Sequence, residues 1–447
     1  MIGFIRRLIK DRRGNALVIA GAMLPLVVGC AGLATDTIQW TLWKRQLQRG
    51  ADSAAIAGVY DREAASGSTS TVPSTVSHDL SLNLHAFAAM KSGYPVIAYP
   101  ANSGAATNQV KVTLAVQQRL PFSSLFMRTA PTIIANATAA SISTGGNACV
   151  QALETNASQT GITNSGNTTI YMPDCVMYSN SPSSNSAAAG GSSSVTALAI
   201  AAVGGIQQSN NWNVSSYRPY SPALSDPFKD VNPSPSDMKC AGHYDTHGHT
   251  TTWVYDALTE TTDMANATYL DSSGNLQTGA NCWTSLSVGS NTSLTVPTSY
   301  TGPIYVNGGS ANLQGSFTCA ACTIVLTNKN SSSPIGTINS NAQANTNITA
   351  PTSGTFTGIA IYQDRRATDC SGCNKLNGGS SSTITGAVYI PSQEVWFNGG
   401  TNPTATCTML VARRVTLTGN SKFKGLSQCV AEGLPQSTSV TMVRLVA

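Results

Sequence analysis

The sequence predicts one N-terminal transmembrane α-helix followed by a mainly-β extracytoplasmic region, with a small α+β unit between them. Residues 16–34 contain no charged side chain, whereas Gly, Ser, Thr and Asn crowd the chain after about residue 65 and separate short apolar runs. Only 10% of the 447 residues are charged and 6% are aromatic. Such a composition suits either a flexible linker or an all-β repeat whose turns need Gly and Asn.

The apolar stretch is long enough to cross a bilayer. Its 19 residues, Ala16 to Ala34, would span about 29 Å as a helix. Basic residues before the stretch favour an N-terminus in the cytoplasm, and Trp40 and Trp43 stand where an aromatic belt would meet the outer interface. Most of the formal net charge of +5 lies in the first fifteen residues, so it does not indicate a nucleic-acid-binding face.

Three interpretations of this stretch are open: a permanent anchor, a cleaved secretory signal and a lipoprotein leader. The string "GCAGLA" permits signal cleavage, and "VVGC" fits a leader in which Cys30 would be acylated. Against both, "DTIQWTLWKRQLQRGADSAAIAGVY" continues the helical pattern with no Gly or Pro before Gly50. We therefore predict a permanent anchor that continues as one long helix.

Several motifs occur in a fixed order within the first sixty residues. They are "RRGN", the apolar span, "GLATD" and "LQRGADSAAIA", with Arg12, Arg13, Gly14, Asn15, Gly32, Leu33, Ala34, Asp36, Leu47, Gln48, Ala51, Asp52, Ala54, Ala55 and Ala57 at the pattern positions. This order resembles the N-terminal segment of the TadE/TadG-like Flp pilus-assembly proteins. In addition, Ala51, Ala54, Ala55 and Gly58 are small enough to let another helix approach closely.

The sequence departs from two related patterns. Processed pilins carry a glutamate five residues after the cleavage glycine, and here that position is Ile19. We therefore expect an uncleaved accessory protein. Some TadE/TadG-like proteins carry a von Willebrand A domain with an Asp-x-Ser-x-Ser motif. The nearest string begins at Asp79 and lacks the last serine, so we expect no such domain.

Changes in composition predict the domain organisation. The segments are 1–60 (cytoplasmic basic tip, transmembrane helix and helical extension), 61–77 (polar linker), 78–147 (small α+β unit), 148–206 and 301–430 (two parts of a β-solenoid), 207–300 (an insertion containing proline, histidine and tryptophan) and 431–447 (C-terminal tail). We expect any ligand contact in the insertion, which contains three of the five histidines.

A parallel β-helix is favoured for the solenoid, with a β-sandwich as the alternative. Short apolar strands recur every eight to twelve residues, separated by Asn-Gly, Gly-Gly and Gly-Asn steps. The strings "ITGAVYIP" and "VTLTGNSKF" place such a step beside an apolar strand, as the tight corners of stacked rungs require.

Eleven cysteines are present, and all except Cys30 lie between Cys149 and Cys429. An even number in this polar region indicates disulfides formed in an oxidising compartment. Pairing of sequence neighbours predicts Cys149–Cys175, Cys240–Cys282, Cys319–Cys322, Cys370–Cys373 and Cys407–Cys429. The two Cys-x-x-Cys pairs are too far apart for a zinc ribbon, and neither lies on a helix that would make a redox site.

We predict no catalytic, cofactor-binding or metal-binding residue. His243, His247 and His249, with Cys240 and Asp245 nearby, have a ligand-like spacing, but glycines beside them prevent a helix from setting the geometry. On a β-helix, the string "YQDRR", Tyr362 to Arg366, with Asp364 and Asp369 close together, suggests an analogy with polysaccharide lyases, in which an arginine base lies beside acidic residues. Such sites need more carboxylates on adjacent rungs than this segment offers.

The resemblance implies a non-enzymatic component of a tight-adherence (Flp, type IVc) pilus assembly or secretion system. We expect a single-pass protein of the bacterial inner membrane, with a cytoplasmic N-terminus and most of the chain in the periplasm. Its expected partners are other Flp pilus-assembly membrane proteins or minor pilins, without a cofactor or nucleic acid. The alternative is an N-terminally anchored adhesin or carbohydrate-binding β-solenoid, including a lipoprotein form.

Overall fold

The computed structural model of this chain describes residues 12–84, 90–143, 146–247, 249–377, 382–398, 407–423, 429 and 440–446, without the side chains of residues 12–18, 20 and 421. The basic tip residues Arg6, Arg7 and Lys10 and the side chains of Arg12 and Arg13 thus lie outside the described part. The chain forms two compact units. The first comprises residues 1–142 and 443–447, and the second comprises residues 143–442.

One long helix, α1, dominates the first unit. It runs from Arg12 to Ala64 without interruption at Pro25, as the sequence predicted for an anchor with a helical extension. Its second half buries one face, formed by Leu47, Ala51, Ala54, Ala55 and Val59. These positions follow the i, i+4, i+7, i+8 spacing of a helix that packs against a core.

A four-stranded sheet packs against that face of α1. Its strands are β1, Val96–Ala98; β2, Ala106–Gln117; β3, Thr132–Ser143; and the last strand of the chain, β28, Thr441–Leu445. Their order is β1-β2-β3-β28, and the first two pairs are antiparallel. Val110, Val112 and Leu114 of β2 point into the core, in the period-2 pattern expected from the sequence.

A second helix, α2, Val72–Asn83, completes this core. Val72, Val76 and Leu80 are fully buried at a spacing of four residues. The prediction of a polar linker over residues 61–77 was therefore wrong. Three apolar side chains one helical turn apart are enough to bury one face, although Ser and Thr surround them in the sequence.

The predicted tail, residues 431–447, also contains structure. β28 adds an edge strand to the first unit, and the Val446 N–H donates to the Thr138 carbonyl at 2.8 Å. The second unit consequently stands between β3 and β28 in the sequence. The chain leaves the first unit once and returns to it with its last residues.

The second unit is a parallel β-solenoid, and among its described residues Thr261–Ala265 form a short α-helix, α3. Its stacked strands are β4 Asn147–Ala152, β5 Ile162–Asn164, β6 Thr169–Ser179, β7 Ala187–Ala189, β8 Ser194–Ala202, β9 Trp212–Arg218, β14 Cys282–Trp283, β15 Leu286–Val288, β16 Ser293–Thr295, β17 Gly302–Asn307, β18 Ala311–Leu313, β19 Ser316–Cys319, β20 Cys322–Thr327, β21 Ile338–Ser340, β22 Asn345–Thr349, β23 Ile359–Gln363, β24 Asn374–Asn377, β25 Thr383–Asn398, β26 Thr408–Leu417 and β27 Ser421–Lys422. Two separate hairpins complete it: β10 Gly242–His247 with β11 Thr250–Tyr255, and β12 Thr268–Leu270 with β13 Leu276–Thr278.

Successive rungs pair in parallel. β14, β17 and β20 form one column, and β15, β18 and β21 form the next. Parallel stacking confirms the predicted β-helix-like fold and excludes the β-sandwich, whose sheets are antiparallel. Apolar side chains from the rungs fill the interior of the solenoid. This apolar interior agrees with the low proportion of charged residues in the chain, 10%.

The spatial order of the rungs differs from their order in the chain. The stack runs from β14 to β26, and β26 then pairs with β4, so that Leu410 lies beside Val150. β4, β6, β8 and β9 continue the stack to its other end. The two predicted solenoid parts therefore form one continuous stack.

The segment between β9 and β14 connects the two ends of the stack. The predicted insertion, residues 207–300, is shorter in the structure, because β9 at its start and β14 to β16 at its end are rungs. The first part of the connection, residues 219–241, is called the strap below. It crosses the rungs as it returns from one end of the stack to the other.

Donor side chains of the solenoid hold the strap. Tyr389 Oη donates to Asp226 Oδ2 at 2.7 Å, and Tyr362 Oη donates to the Val231 carbonyl at 2.8 Å. Phe228 is buried against Tyr389, with the ring centroids 5.3 Å apart. The strap is proline-rich and therefore poor in N–H donors, so Tyr and Arg side chains of the rungs satisfy its acceptors.

All five disulfides connect the predicted partners. They are Cys149–Cys175, Cys240–Cys282, Cys319–Cys322, Cys370–Cys373 and Cys407–Cys429. Cys30, in the exposed part of α1, is the free cysteine.

Candidate functional site: the anchor helix and its docked loop

The first half of α1 exposes an almost continuous apolar surface. Its exposed large side chains are Ile19, Met23, Leu24, Leu26, Val27, Val28, Leu33, Ile38, Trp40 and Leu42. From Ile19 to Leu42 the helix rises about 35 Å, more than the hydrocarbon core of a bilayer. The length of this helix and its exposed apolar surface indicate membrane anchoring.

Asp36 is the one ionisable carboxyl within this apolar surface, and it is buried. It accepts a hydrogen bond from the Phe122 N–H at 2.9 Å and short hydrogen bonds from the N–H and hydroxyl of Ser123. A carboxylate near hydrocarbon is costly unless such donors surround it. The aspartate of the "GLATD" motif therefore acts as the attachment point of a loop.

That loop, residues 119–128, joins β2 to β3 and is called the docked loop below. Ser123–Leu125 form a 3-10 turn whose first N–H groups point at Asp36. The Phe122 ring lies against Gly32, where any Cβ would overlap it. Gly32 and Asp36, four residues apart on one helix face, thus contact two adjacent residues of one loop, Phe122 and Ser123.

The alanine-rich part of α1 packs within the core of the first unit. Gly58 lies close to β2 and α2, since a Cβ there would stand 2.9 Å from Val110 Cγ1 and 3.2 Å from Val72 Cγ1. The sequence indicated that these small residues let another helix approach. In the structure, that role is filled by α2 and the sheet of the same chain.

The acidic residues considered for catalysis form ion pairs with arginines. Asp364 Oδ2 lies 2.7 Å from Arg366 Nη2, and Asp369 Oδ1 lies 2.7 Å from Arg414 Nη2. Burial opposes ionisation of Asp364, but hydrogen bonds from Arg366 and Thr327 outweigh it and lower its pKa. Both carboxylates are therefore paired with arginine side chains.

The histidines are spread over one exposed hairpin. His243 Nδ1 lies 2.6 Å from Asp256 Oδ1, and His247 Nδ1 lies 3.3 Å from Asp245 Oδ2, while His249 is exposed. Cys240 is bonded to Cys282 and cannot bind a metal. Within the described ranges, His, Cys, Asp and Glu form no group of three with metal-site geometry.

An open polar cleft of about 460 Å³ lies beside this hairpin. Its lining includes His243, Asp256, Thr259, Asp263 and Asn266, with the buried Trp283 at its floor. Carboxylate, amide and hydroxyl groups at an open surface can hydrogen-bond a small polar ligand. The cleft falls within the predicted insertion, where ligand contact was expected from the sequence.

No pattern in the sequence predicted the docked loop. The apolar residues of the string "RLPFSSLFMR" lack the alternation of a strand. Five large apolar side chains between two arginines, in a chain with 6% aromatic residues, were the signal that could have identified it.

Comparison with known proteins concerns mainly the anchor. Residues 14–65 match the family model described as Flp pilus-assembly TadE/G-like, which confirms the resemblance of the N-terminal segment. No curated protein matches the chain. The crystal structure of the competence-associated pilin ComZ from Thermus thermophilus matches 79% of this chain and 86% of its own, at 10% identity and a TM-score of 0.24. A similarity at that TM-score supports no inference.

Proposed function

We propose that the protein is a non-enzymatic, membrane-anchored component of a tight-adherence (Flp, type IVc) pilus assembly or secretion system. One observation carries the proposal: the family match over residues 14–65 coincides with α1. The first half of this helix exposes an apolar surface, and its second half organises the first unit. Other Flp pilus-assembly membrane proteins or minor pilins would contact the exposed half within the bilayer.

The proposed orientation places the N-terminus in the cytoplasm of a bacterium. The second unit, and the part of the first unit that follows the membrane span, then lie in the periplasm. Basic residues before the span support this direction of insertion. Five disulfides support an oxidising compartment for the second unit. A charge reversal, Arg12→Glu with Arg13→Glu, should disturb orientation, and protease protection in spheroplasts measures it.

The absence of enzymatic activity is part of the same proposal. It is supported by the pairing of Asp364 and Asp369 with arginines, which leaves neither as an unpaired acid or base. A scaffold role needs only stable surfaces, and the ion pairs, disulfides and strap all contribute to rigidity.

A deletion strain tests the function. Loss of the gene should abolish surface pili, counted by electron microscopy, and the wild-type gene should restore them. A complementing variant with Val28→Arg, which places a charge on the exposed apolar surface, should fail to restore pili and should reduce membrane insertion. Unchanged pili in the deletion strain would contradict the proposal.

The polar cleft favours a second candidate function, that of an anchored adhesin or carbohydrate-binding protein. Its Asp256, Asp263 and Asn266 offer the carboxylate and amide groups that sugar hydroxyls pair with. Full-length protein in detergent should then bind a glycan array, and Asp256→Asn should abolish that binding. The exposed Asp230→Asn, outside the cleft, is the matched control.

A further inference from the structure

We propose that the docked loop is a second membrane-contacting element, whose tip enters the bilayer interface beside α1. The tip consists of Leu125, Phe126 and Met127. The inference rests on the proposed anchoring of α1 and adds to it a lipid-binding surface on the folded first unit.

The tip is unusually exposed for apolar side chains. Leu125 is 75% exposed and Phe126 is 76% exposed, and Met127 next to them is also exposed. Three consecutive large apolar residues in water are unfavourable, since burying each would contribute about 1.5–3 kcal/mol. A hydrocarbon environment removes that cost.

The charges beside the tip fit a phospholipid surface. Arg119 and Arg128 stand on either side of it in the sequence and are exposed. Neither forms an ion pair with a residue in the ranges that the structure describes. Apolar side chains bordered by arginines are typical of segments that lie at the interface, where basic groups meet anionic head groups.

The position of the loop on α1 sets its depth. It is bound at Gly32 and Asp36, whereas exposed apolar side chains of α1 continue past this point to Ile38 and Leu42. Leu42 lies about 9 Å further along the helix axis than Asp36. The loop is thus attached to a part of α1 that itself faces lipid, which makes the lipid surface continuous from helix to loop.

A fluorescence experiment on the full-length protein tests the loop. An environment-sensitive NBD probe is attached at position 126 in Phe126→Cys, with Cys30→Ser to remove the free thiol. The protein is reconstituted in vesicles of phosphatidylethanolamine and phosphatidylglycerol with and without spin-labelled phosphatidylcholine as quencher. We expect about a twofold loss of emission at position 126, as for a group buried 5–10 Å into the interface.

Two further probes make the result decisive. The native Cys30, labelled in the wild-type chain, reports the span itself. Ala105→Cys with Cys30→Ser places the probe in the exposed turn at the opposite end of β2, about 36 Å away along the strand. Emission should be quenched at position 30 and unaffected at position 105.

The outcomes separate the two ideas. Quenching at position 30 without quenching at position 126 would overturn the loop proposal and leave the anchor intact, as expected if the tip contacts another protein. No quenching at position 30 would overturn the anchor and the loop proposal together. Leu125→Cys, at an equally exposed tip residue, repeats the measurement if Phe126→Cys does not fold.

Discussion

Arg414 Nη1 donates a hydrogen bond of 2.7 Å to Glu154 Oε2 across a sequence separation of 260 residues. Glu154 follows β4 and Arg414 lies in β26, so the ion pair spans the junction between the early and the late rungs. Arg413 Nε also contacts this carboxylate at 3.0 Å, and the side chain of Glu154 is fully buried. The junction between the early and the late rungs is therefore held by ion pairs as well as by strand pairing.

Replacing this carboxylate should weaken the solenoid. Glu154→Gln leaves the largely buried Arg414 without one of its two acidic partners, which we expect to cost about 3 kcal/mol of unfolding free energy. Urea denaturation followed by circular dichroism measures the change. Asp230→Asn, an exposed acid in the same unit, should leave stability unchanged, and equal effects of both variants would contradict this role of Glu154.

Acid should destabilise the second unit at the same place. Burial opposes ionisation of Glu154, but hydrogen bonds from Arg413, the Asn156 N–H and Arg414 outweigh it and lower its pKa to about 2. A carboxyl with a depressed pKa contributes stability above its ordinary pKa, about 4.5, and that contribution is lost as pH falls towards 2.

We therefore expect the unfolding free energy to fall between pH 4.5 and pH 2, with a smaller decline in Glu154→Gln. Urea titrations at several pH values measure both slopes. A wild-type and a variant curve that are parallel over this window would show that Glu154 does not contribute.

The strap should depend on its one buried aromatic anchor. Phe228→Ala removes a ring packed on Tyr389 and should cost about 3 kcal/mol, since large-to-small changes in a core leave a cavity. Limited proteolysis should then cut the chain within residues 219–241. Lys229→Ala, the exposed neighbour, should retain the wild-type pattern, and cleavage of both variants at the same rate would argue against anchoring by Phe228.

The absence of a side chain at Gly32 should be required for the loop to pack against α1. A Cβ at Gly32 would overlap the Phe122 ring, whereas a Cβ at Gly29 meets no atom within 4 Å. Both Gly→Ala changes improve helix propensity equally, so a difference between them reports docking. We expect faster amide exchange at Phe122 and Ser123 in Gly32→Ala, measured by hydrogen–deuterium exchange in nanodiscs, with no change in Gly29→Ala.

The cysteines should show one reactive thiol. Alkylation of the unreduced protein should modify Cys30 only, and reduction should release ten further thiols from the five disulfides. Intact mass spectrometry before and after reduction counts them. Protein taken from the membrane fraction with more than one alkylated cysteine would contradict the proposed oxidising compartment.

Features that depend on neighbouring residues could be predicted from the sequence. An uncharged run of helical length indicates an anchor whatever the remaining chain does, because bilayer thickness sets the requirement. Recurrent short apolar strands with Gly and Asn at their ends indicated stacked rungs, and cysteines close in sequence were paired correctly. The prediction of a linker over residues 61–77 was wrong because the polar composition concealed the helical spacing of Val72, Val76 and Leu80.

Features that depend on distant residues were accessible only in three dimensions. Every rung of a parallel stack offers similar edges, so nothing local indicates that β26 pairs with β4, or that Glu154 meets Arg414. Likewise, Asp36 and Gly32 could be recognised as motif positions, but their partner is a loop some 90 residues later, with separations of 86 and 87 residues to Phe122 and Ser123. The sequence of this chain predicted a membrane-spanning helix and favoured a β-solenoid. The order of the rungs and the attachment of the loop follow from packing between residues that are far apart in the sequence, which no local pattern indicates.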